Sequence, residues 1–137
     1  MQLVFGQDEL VADWVGVNLG TEILPPYTAI GGTIDGRSLV LGAVFSQWNG
    51  SNLEITLYGP GALKRGPLRA FYHYAFIQLN ATRVSANVKR ANKRMLKAMT
   101  RLGFEFEGTS KRFYGPTKQD DALRFAMFPD TAKDWMK

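Results

Sequence analysis

Between Leu53 and Phe104 the apolar positions change their period repeatedly, and each change predicts a new element. Leu53, Ile55 and Leu57 alternate with Glu54, Thr56 and Tyr58, the two-residue repeat of a strand. A Gly/Pro-rich turn from Gly59 to Pro67 follows. Leu68, Phe71, Tyr72, Ala75, Phe76 and Leu79 then recur at spacings of three and four, one apolar stripe along a helix that Asn80 and Ala81 close. Arg83 to Val88 alternates again as a strand, and a basic helix is predicted from about Ala91 to Leu102, stopped by Gly103. A helix joining two strands at this spacing predicts a parallel βαβ unit, because the second strand must return to the same end of the sheet.

The flanking segments complete the pattern. Asp8 to Leu19 reads as a helix capped by Asp8, with Leu10, Val11, Trp14 and Val15 as its buried face and Gly20 as its stop. Pro25-Pro26 is a break. Tyr27 to Ile34 reads as a strand, Asp35-Gly36 as a hairpin turn, and Arg37 to Phe45 as the returning strand. A second turn, Gln47 to Asn52, leads antiparallel into Leu53. After Gly103, Phe104 to Tyr114 reads as a strand continuing through Gly108, Gly115 to Asp120 as a loop, and Asp121 to Phe128 as the last strand, which Pro129 blocks. Thr131 to Lys137 predicts a short helical turn. The order is α-β-β-β-α-β-α-β-β: one α+β domain over residues 1–137, a mixed central sheet with helices on both faces.

Composition narrows the chemistry. With no Cys, disulfides, thiolate nucleophiles and Cys-based zinc sites are excluded, and the single histidine, His73, lies off the helix stripe and reads as an exposed residue, so no metal site is expected. The first residues lack the basic and apolar regions of a signal peptide, and no apolar run approaches a membrane span, so the expectation is a cytoplasmic protein with no membrane partner. The net charge of +5 and pI near 9.6 point to an anionic partner: a phosphate-rich cofactor, nucleic acid or an acidic protein surface.

The turn before the first central helix suits the first of these. Pro67 fits the first helical position and Gly66 the cap, which would leave the N–H groups of Leu68 and Arg69 facing outward beside Lys64 and Arg65. Such a loop at a helix N-terminus can cradle a phosphate, although the same residues also make an ordinary turn and helix start. The helix carrying Lys89, Arg90, Lys93, Arg94, Lys97 and Arg101 is either a solvated face or an attractor of phosphates. No base-reading motif accompanies it, so nucleic acid is not the favoured partner.

Specific positions carry a resemblance. Val88-x-x-x-Asn92, Leu96, Leu102-Gly103-Phe104 and Phe106-Glu107-Gly108 are similar to the signature of GNAT-superfamily N-acetyltransferases related to the enzymes that acetylate ribosomal-protein N-termini. Asp121 to Met127 resembles that group's final strand, and the match covers roughly Ser38 to Trp135. The chain also resembles small phage- and prophage-encoded members, which implies a host-cytoplasmic location.

The resemblance implies acetyl-CoA as cofactor, held where the strands Leu53–Tyr58 and Arg83–Val88 splay apart. Backbone around Leu57 and Gly59 would meet the pantetheine arm, the loop Leu63, Lys64, Arg65, Gly66, Leu68 and Arg69 the pyrophosphate, and Asn87 and Asn92 would add amide contacts. The sequence departs from the family at Leu63 and Leu68 in the phosphate loop. It departs again at Met99, where many members carry the tyrosine that protonates the leaving thiolate.

Acetyl transfer needs a base and polar donors. Glu54 resembles the family's strand glutamate base, with Tyr58 and Ser85 as hydroxyl groups near the splay. Each can also be plain sheet surface. Tyr27 and Trp48, from the front loops, would either line an acceptor groove or cap the core edge. The expected function is acetyl-CoA-dependent N-acetylation of a primary amine on a small molecule or protein. The alternatives are a GNAT-fold binding or structural protein that has lost catalysis, and a nucleic-acid-modifying relative. Oligomeric state is open and includes a homodimer.

Overall fold

The computed structural model describes residues 1–137 and contains β1 (Gln2–Val4), α1 (Asp8–Leu19), β2 (Tyr27–Thr33), β3 (Leu39–Ser46), β4 (Asn52–Tyr58) and α2 (Arg65–Tyr72). A π-helical segment (His73–Gln78) extends α2, and β5 (Arg83–Lys89), α3 (Lys93–Arg101), β6 (Glu105–Ser110), β7 (Ala122–Met127) and α4 (Pro129–Trp135) follow. The strands form one sheet in the order β1-β2-β3-β4-β5-β7-β6. Every neighbouring pair is antiparallel except β4 with β5, the predicted βαβ unit. The α+β fold with helices on both faces is therefore as expected, with β1 as an added edge strand. Pro129 does more than stop β7: it opens α4, which starts two residues before the predicted turn.

The two faces have separate cores. Leu53, Ile55, Leu57, Val84, Ala86 and Val88 from the central strands pack with Leu68, Phe71, Tyr72 and Phe76, and with Met99 and Leu102 of α3. The sequence stripe is thus buried as predicted. The helix is not α-helical throughout, however. From His73 the turn widens, which brings Tyr74 round to Phe45 (ring centroids 4.8 Å) and its hydroxyl to that of Thr28 (2.7 Å). Hydrophobic periodicity cannot distinguish these two windings over six residues.

On the other face α1 lies on β2, β3 and β4, burying Val11, Ala12 and Val15 against Ala29 and Val44. Its floor is glycine. Gly31 and Gly42 are cross-strand partners, and a Cβ on either would come within 2.8 Å of Leu39 or 2.7 Å of Val15. That close approach selects Val11, Ala12, Val15 and Gly16 as the buried set, and Leu10 of the predicted face is exposed. Gln7, not Asp8, occupies the cap position; the Asp8 carboxylate instead accepts the N–H of Ala29 at 2.9 Å, tying the helix start to β2. The predicted Asp35-Gly36 hairpin is a wider loop, with Thr33 opposite Leu39. In it the Asp35 carboxylate accepts the N–H groups of Arg37 (2.8 Å) and Ser38 (2.9 Å).

Candidate active site

The central strands part. β4 and β5 pair only at Asn52–Arg83, Leu53–Val84 and Glu54–Ser85, whereas β4 continues to Tyr58 and β5 to Lys89. Each stays in register with its outer neighbour over that length: β3 pairs with β4 as far as Tyr58, and β7 with β5 as far as Lys89. The gap therefore opens in the middle of an otherwise continuous sheet. Inner-edge peptide groups beyond Glu54 and Ser85 have no strand partner, although backbone groups in a sheet ordinarily do. A cleft of about 420 Å³ passes through the gap, bounded by Met95 and Met99 on the α3 face and by Tyr114 and the Thr21–Leu24 segment on the α1 face.

Glu54 stands at the fork. It is the last paired residue of β4, half-buried, and its side chain lies on the α1 face, opposite Leu53 and Ile55. The Asn87 amide of β5 donates to its Oε1 at 2.5 Å across the opening gap. Burial pushes the Glu54 carboxyl above its ordinary value, while Arg124 and the Asn87 hydrogen bond oppose that rise. A carboxylate so placed can take a proton from an amine entering on the α1 face.

A second cavity, about 790 Å³, continues from the cleft past Tyr58 to the loop Gly59–Lys64 and the basic face of α3, where Arg94, Lys97 and Arg101 line it. Asn92 lines both cavities. Its Oδ1 caps α3 by accepting the N–H of Met95 at 3.3 Å, which leaves its amide NH₂ as the group able to donate outward.

No protein-family profile matches the chain, and no curated protein matches it in sequence. Solved structures do. The chain is similar to the ribosomal-protein-S5-alanine acetyltransferase of Vibrio fischeri, with a TM-score of 0.62 at 17% identity, over 80% of this chain and 63% of that one. It is also similar to point mutants of the spermidine N-acetyltransferase SpeG of Vibrio cholerae. Two of these give TM-scores of 0.74 and 0.75 at 12% identity, over 100% and 99% of this chain and 98% of each of those. The fold is that of the GNAT acetyltransferases. At these identities the likeness establishes architecture, and the chain spans less than two-thirds of the length of the Vibrio fischeri enzyme.

Within the GNAT fold the structure moves several expected site residues. The first central helix begins at Arg65, with Lys64 as its cap, two residues earlier than predicted. The N–H of Leu68 is consequently not free but donates to the Lys64 carbonyl at 3.0 Å, the Leu68 side chain is fully buried, and Arg69 lies in the next turn. The outward amides are those of Arg65 and Gly66, which have no backbone acceptor. The Arg65 guanidinium turns away, donating to the Asp134 carbonyl (3.0 Å) and stacking over Trp135 (4.9 Å). Leu57, Gly59, Leu63 and Lys64 do line the second cavity.

Among the proposed catalytic groups the structure keeps Ser85 next to Glu54 and sets Tyr58 apart. Ser85 faces Glu54 at the last paired position and does not line the cleft. Tyr58 is four residues beyond Glu54, about 13 Å along an extended strand, with its ring edge-on to Trp14 at 5.4 Å. Tyr58 thus lies away from Glu54, and Ser85 lies beside it across the strand pair. Tyr27 packs in the α1-side cluster and Trp48 is exposed; neither enters the cleft, which is walled instead by Thr21–Leu24 and Gln47.

The sequence pattern places Tyr114 at the end of a strand. β6 in fact stops at Ser110 after a register shift at Gly108, and the loop that follows carries Phe113 and Tyr114 back to the cleft. Asp121 anchors this loop, accepting the N–H of Arg112 at 2.8 Å and pairing with Arg90 at 3.3 Å. The Arg112 N–H first, and Arg90 with it, hold the Asp121 carboxyl below its usual value. Stability from a depressed carboxylate is present above its unfolded pKa and is lost as pH falls through the folded one. Asp121→Asn is therefore expected to lower the melting temperature at neutral pH and to flatten its acid-side decline, as measured in thermal melts from about pH 7 to about pH 2. An unchanged acid slope would mean that the anchor lies elsewhere.

Charge divides along the same axis. Residues 1–36 carry five carboxylates and no Lys or Arg, while all 17 basic residues lie from Arg37 onward. The acidic stretch supplies α1 and the Glu22 wall of the cleft, whereas the cavity beside α3 is basic.

Proposed function

We propose that the protein is an N-acetyltransferase that uses acetyl-CoA to acetylate a primary amine on a small molecule or protein. The observation that carries this reading is the parting of β4 from β5 immediately after Glu54, which puts a base candidate at the mouth of a through-sheet cleft. The residues present fit the cofactor. Unpaired strand edges can bond a pantetheine arm, and Lys64, Arg94, Lys97 and Arg101 with the open amides of Arg65 and Gly66 suit its phosphates. The bound thioester supplies the activated acetyl group. Glu54 orients the amine and takes its proton, Asn87 holds the Glu54 carboxylate, and the apolar wall of Met95 and Met99 excludes water.

The charge division points further, to an acceptor that is itself positively charged and approaches on the α1 face, away from the cofactor phosphates. The similarity to SpeG, a spermidine N-acetyltransferase, is in keeping with an acceptor of that kind. Titration calorimetry with acetyl-CoA tests the reading first: heat of binding is expected, weakening as salt rises, and none at about 1 mM ligand would remove it. With the cofactor bound, a polycationic amine is expected to show a lower KM than a monoamine of equal length. That advantage should shrink in high salt.

A further inference from the structure

The cleft between β4 and β5 contains a primary amine of the protein's own. Lys89, the last residue of β5, lines it together with Glu54 and Asn87, and no other lysine does so. Lys64 and Lys97 line the neighbouring basic cavity instead. Strand alternation puts Ser85, Asn87 and Lys89 on one face of β5, the face that Glu54 occupies on β4. Asn87 already reaches the Glu54 carboxylate through its amide. Lys89 stands two residues further on, about 7 Å along an extended strand, a distance that a flexible four-carbon stem spans. The strands have parted by then, so the space between Lys89 and Glu54 belongs to the cleft.

Lys89 is held only lightly. Its Nζ lies 3.4 Å from Asp120 Oδ1 and its side chain is 46% exposed, so water screens the pair. Asp120 does not depend on that contact, because its carboxylate also accepts the N–H of Thr117 at 2.9 Å and the Thr117 hydroxyl at 2.8 Å. Lys89 can therefore turn toward Glu54 without leaving the Asp120 carboxylate unsatisfied.

We infer that Lys89 is a self-acetylation site, which rests on the acetyltransferase reading above: with acetyl-CoA bound and no acceptor in the cleft, the Lys89 amine takes the acetyl group. In balance, the Lys89 ammonium first loses one proton to solvent. Its neutral nitrogen forms the new N–C bond as the thioester C–S bond breaks. Glu54 takes the second proton from nitrogen and passes it to solvent, and the departing thiolate is protonated from solvent. The products are acetylated Lys89 and a free thiol.

The modification has a local consequence. An amide is neutral and no longer pairs with Asp120, so the loop that carries Tyr114 loses its tether to Lys89 and keeps the one between Asp121 and Arg90. The added acetyl group also lies against the wall that an incoming amine must pass.

Mass spectrometry of the intact chain and of its peptides, after incubation with acetyl-CoA and no added amine, tests this. One acetyl group per chain is expected at Lys89, at a rate independent of protein concentration, because the reaction stays within one molecule. Lys137, whose side chain is 77% exposed, reports uncatalysed acetylation and should lag Lys89 by about 10-fold or more. Glu54→Gln should slow labelling of Lys89 by about 100-fold and leave Lys137 unchanged. Lys89→Arg keeps the positive charge beside Asp120 and should abolish the single label. Labelling of Lys89 no faster than that of Lys137 overturns the inference, as does a Lys89 rate unmoved in Glu54→Gln or proportional to protein concentration. Transfer to an added amine, with Lys89 unmodified when that amine is left out, overturns it while the proposed function stands. A protein that binds no acetyl-CoA removes the proposed function and the inference with it.

Discussion

Glu54→Gln is expected to lower kcat by about 100-fold or more while acetyl-CoA affinity stays within about twofold. The substitution preserves shape and the contact with Asn87 but removes the basic oxygen at the fork of β4 and β5. Steady-state kinetics beside calorimetry separates the two quantities, and loss of affinity with full kcat would show that Glu54 only shapes the cleft. The base must be ionised, so activity should rise as pH passes through the Glu54 pKa. Because burial raises that pKa, the rise should fall above the ordinary carboxylate range. Asn87→Ala removes a hydrogen bond that favours the carboxylate and should move the rise to still higher pH. The linkage has the same sign: the folded state holds the Glu54 proton longer than the unfolded chain does, so ionising this group costs stability as pH rises through its folded pKa. Glu54→Gln should therefore fold at least as stably at neutral pH, the opposite of its effect on rate.

The second large effect concerns Gly59 of the phosphate-side loop, set against Gly66 of α2. Gly59 has φ of 111°, and a Cβ there would fall 2.2 Å from the Val40 carbonyl oxygen and 2.6 Å from the Leu41 Cα. Both are backbone atoms of a neighbouring strand segment and cannot rotate away. Gly59→Ala is expected to cost about 3 kcal/mol from the left-handed conformation and the displaced strand, and to weaken acetyl-CoA binding by shifting the loop. At Gly66 a Cβ meets nothing within 4 Å, and the residue lies in the first turn of α2. Gly66→Ala should be neutral or stabilising by up to about 1 kcal/mol. Chemical denaturation of the two variants checks the contrast. Equal stabilities would mean that the close packing of Gly59 on Val40 and Leu41 is not what holds the loop.

The two central helices, the strands between them and the antiparallel front half were legible from residues 8–128 because each element's buried face repeats with the period of its own backbone. The motif around Asn92 and Leu102-Gly103-Phe104 added the fold and pointed to the fork and to Glu54. Other features were settled only in three dimensions. Lys64 rather than Gly66 caps α2, and the turn after Tyr72 widens to seat Tyr74 on Phe45. Leu10 yields its buried place to Ala12 because α1 rests on Gly31 and Gly42.

Sequence periodicity by itself determined the main helices and strands, their order, and most of the side chains that face inward, since each depends on residues a few positions apart. Tertiary structure decided where β4 and β5 separate, which glycine is sterically required, and that Tyr114 rather than Tyr58 or Ser85 joins Glu54 in the cleft. The reason is physical: those outcomes depend on contacts between segments tens of residues apart, such as Asp121 with Arg90 or Gly59 with Val40, and no local repeat records which distant partner a side chain will meet.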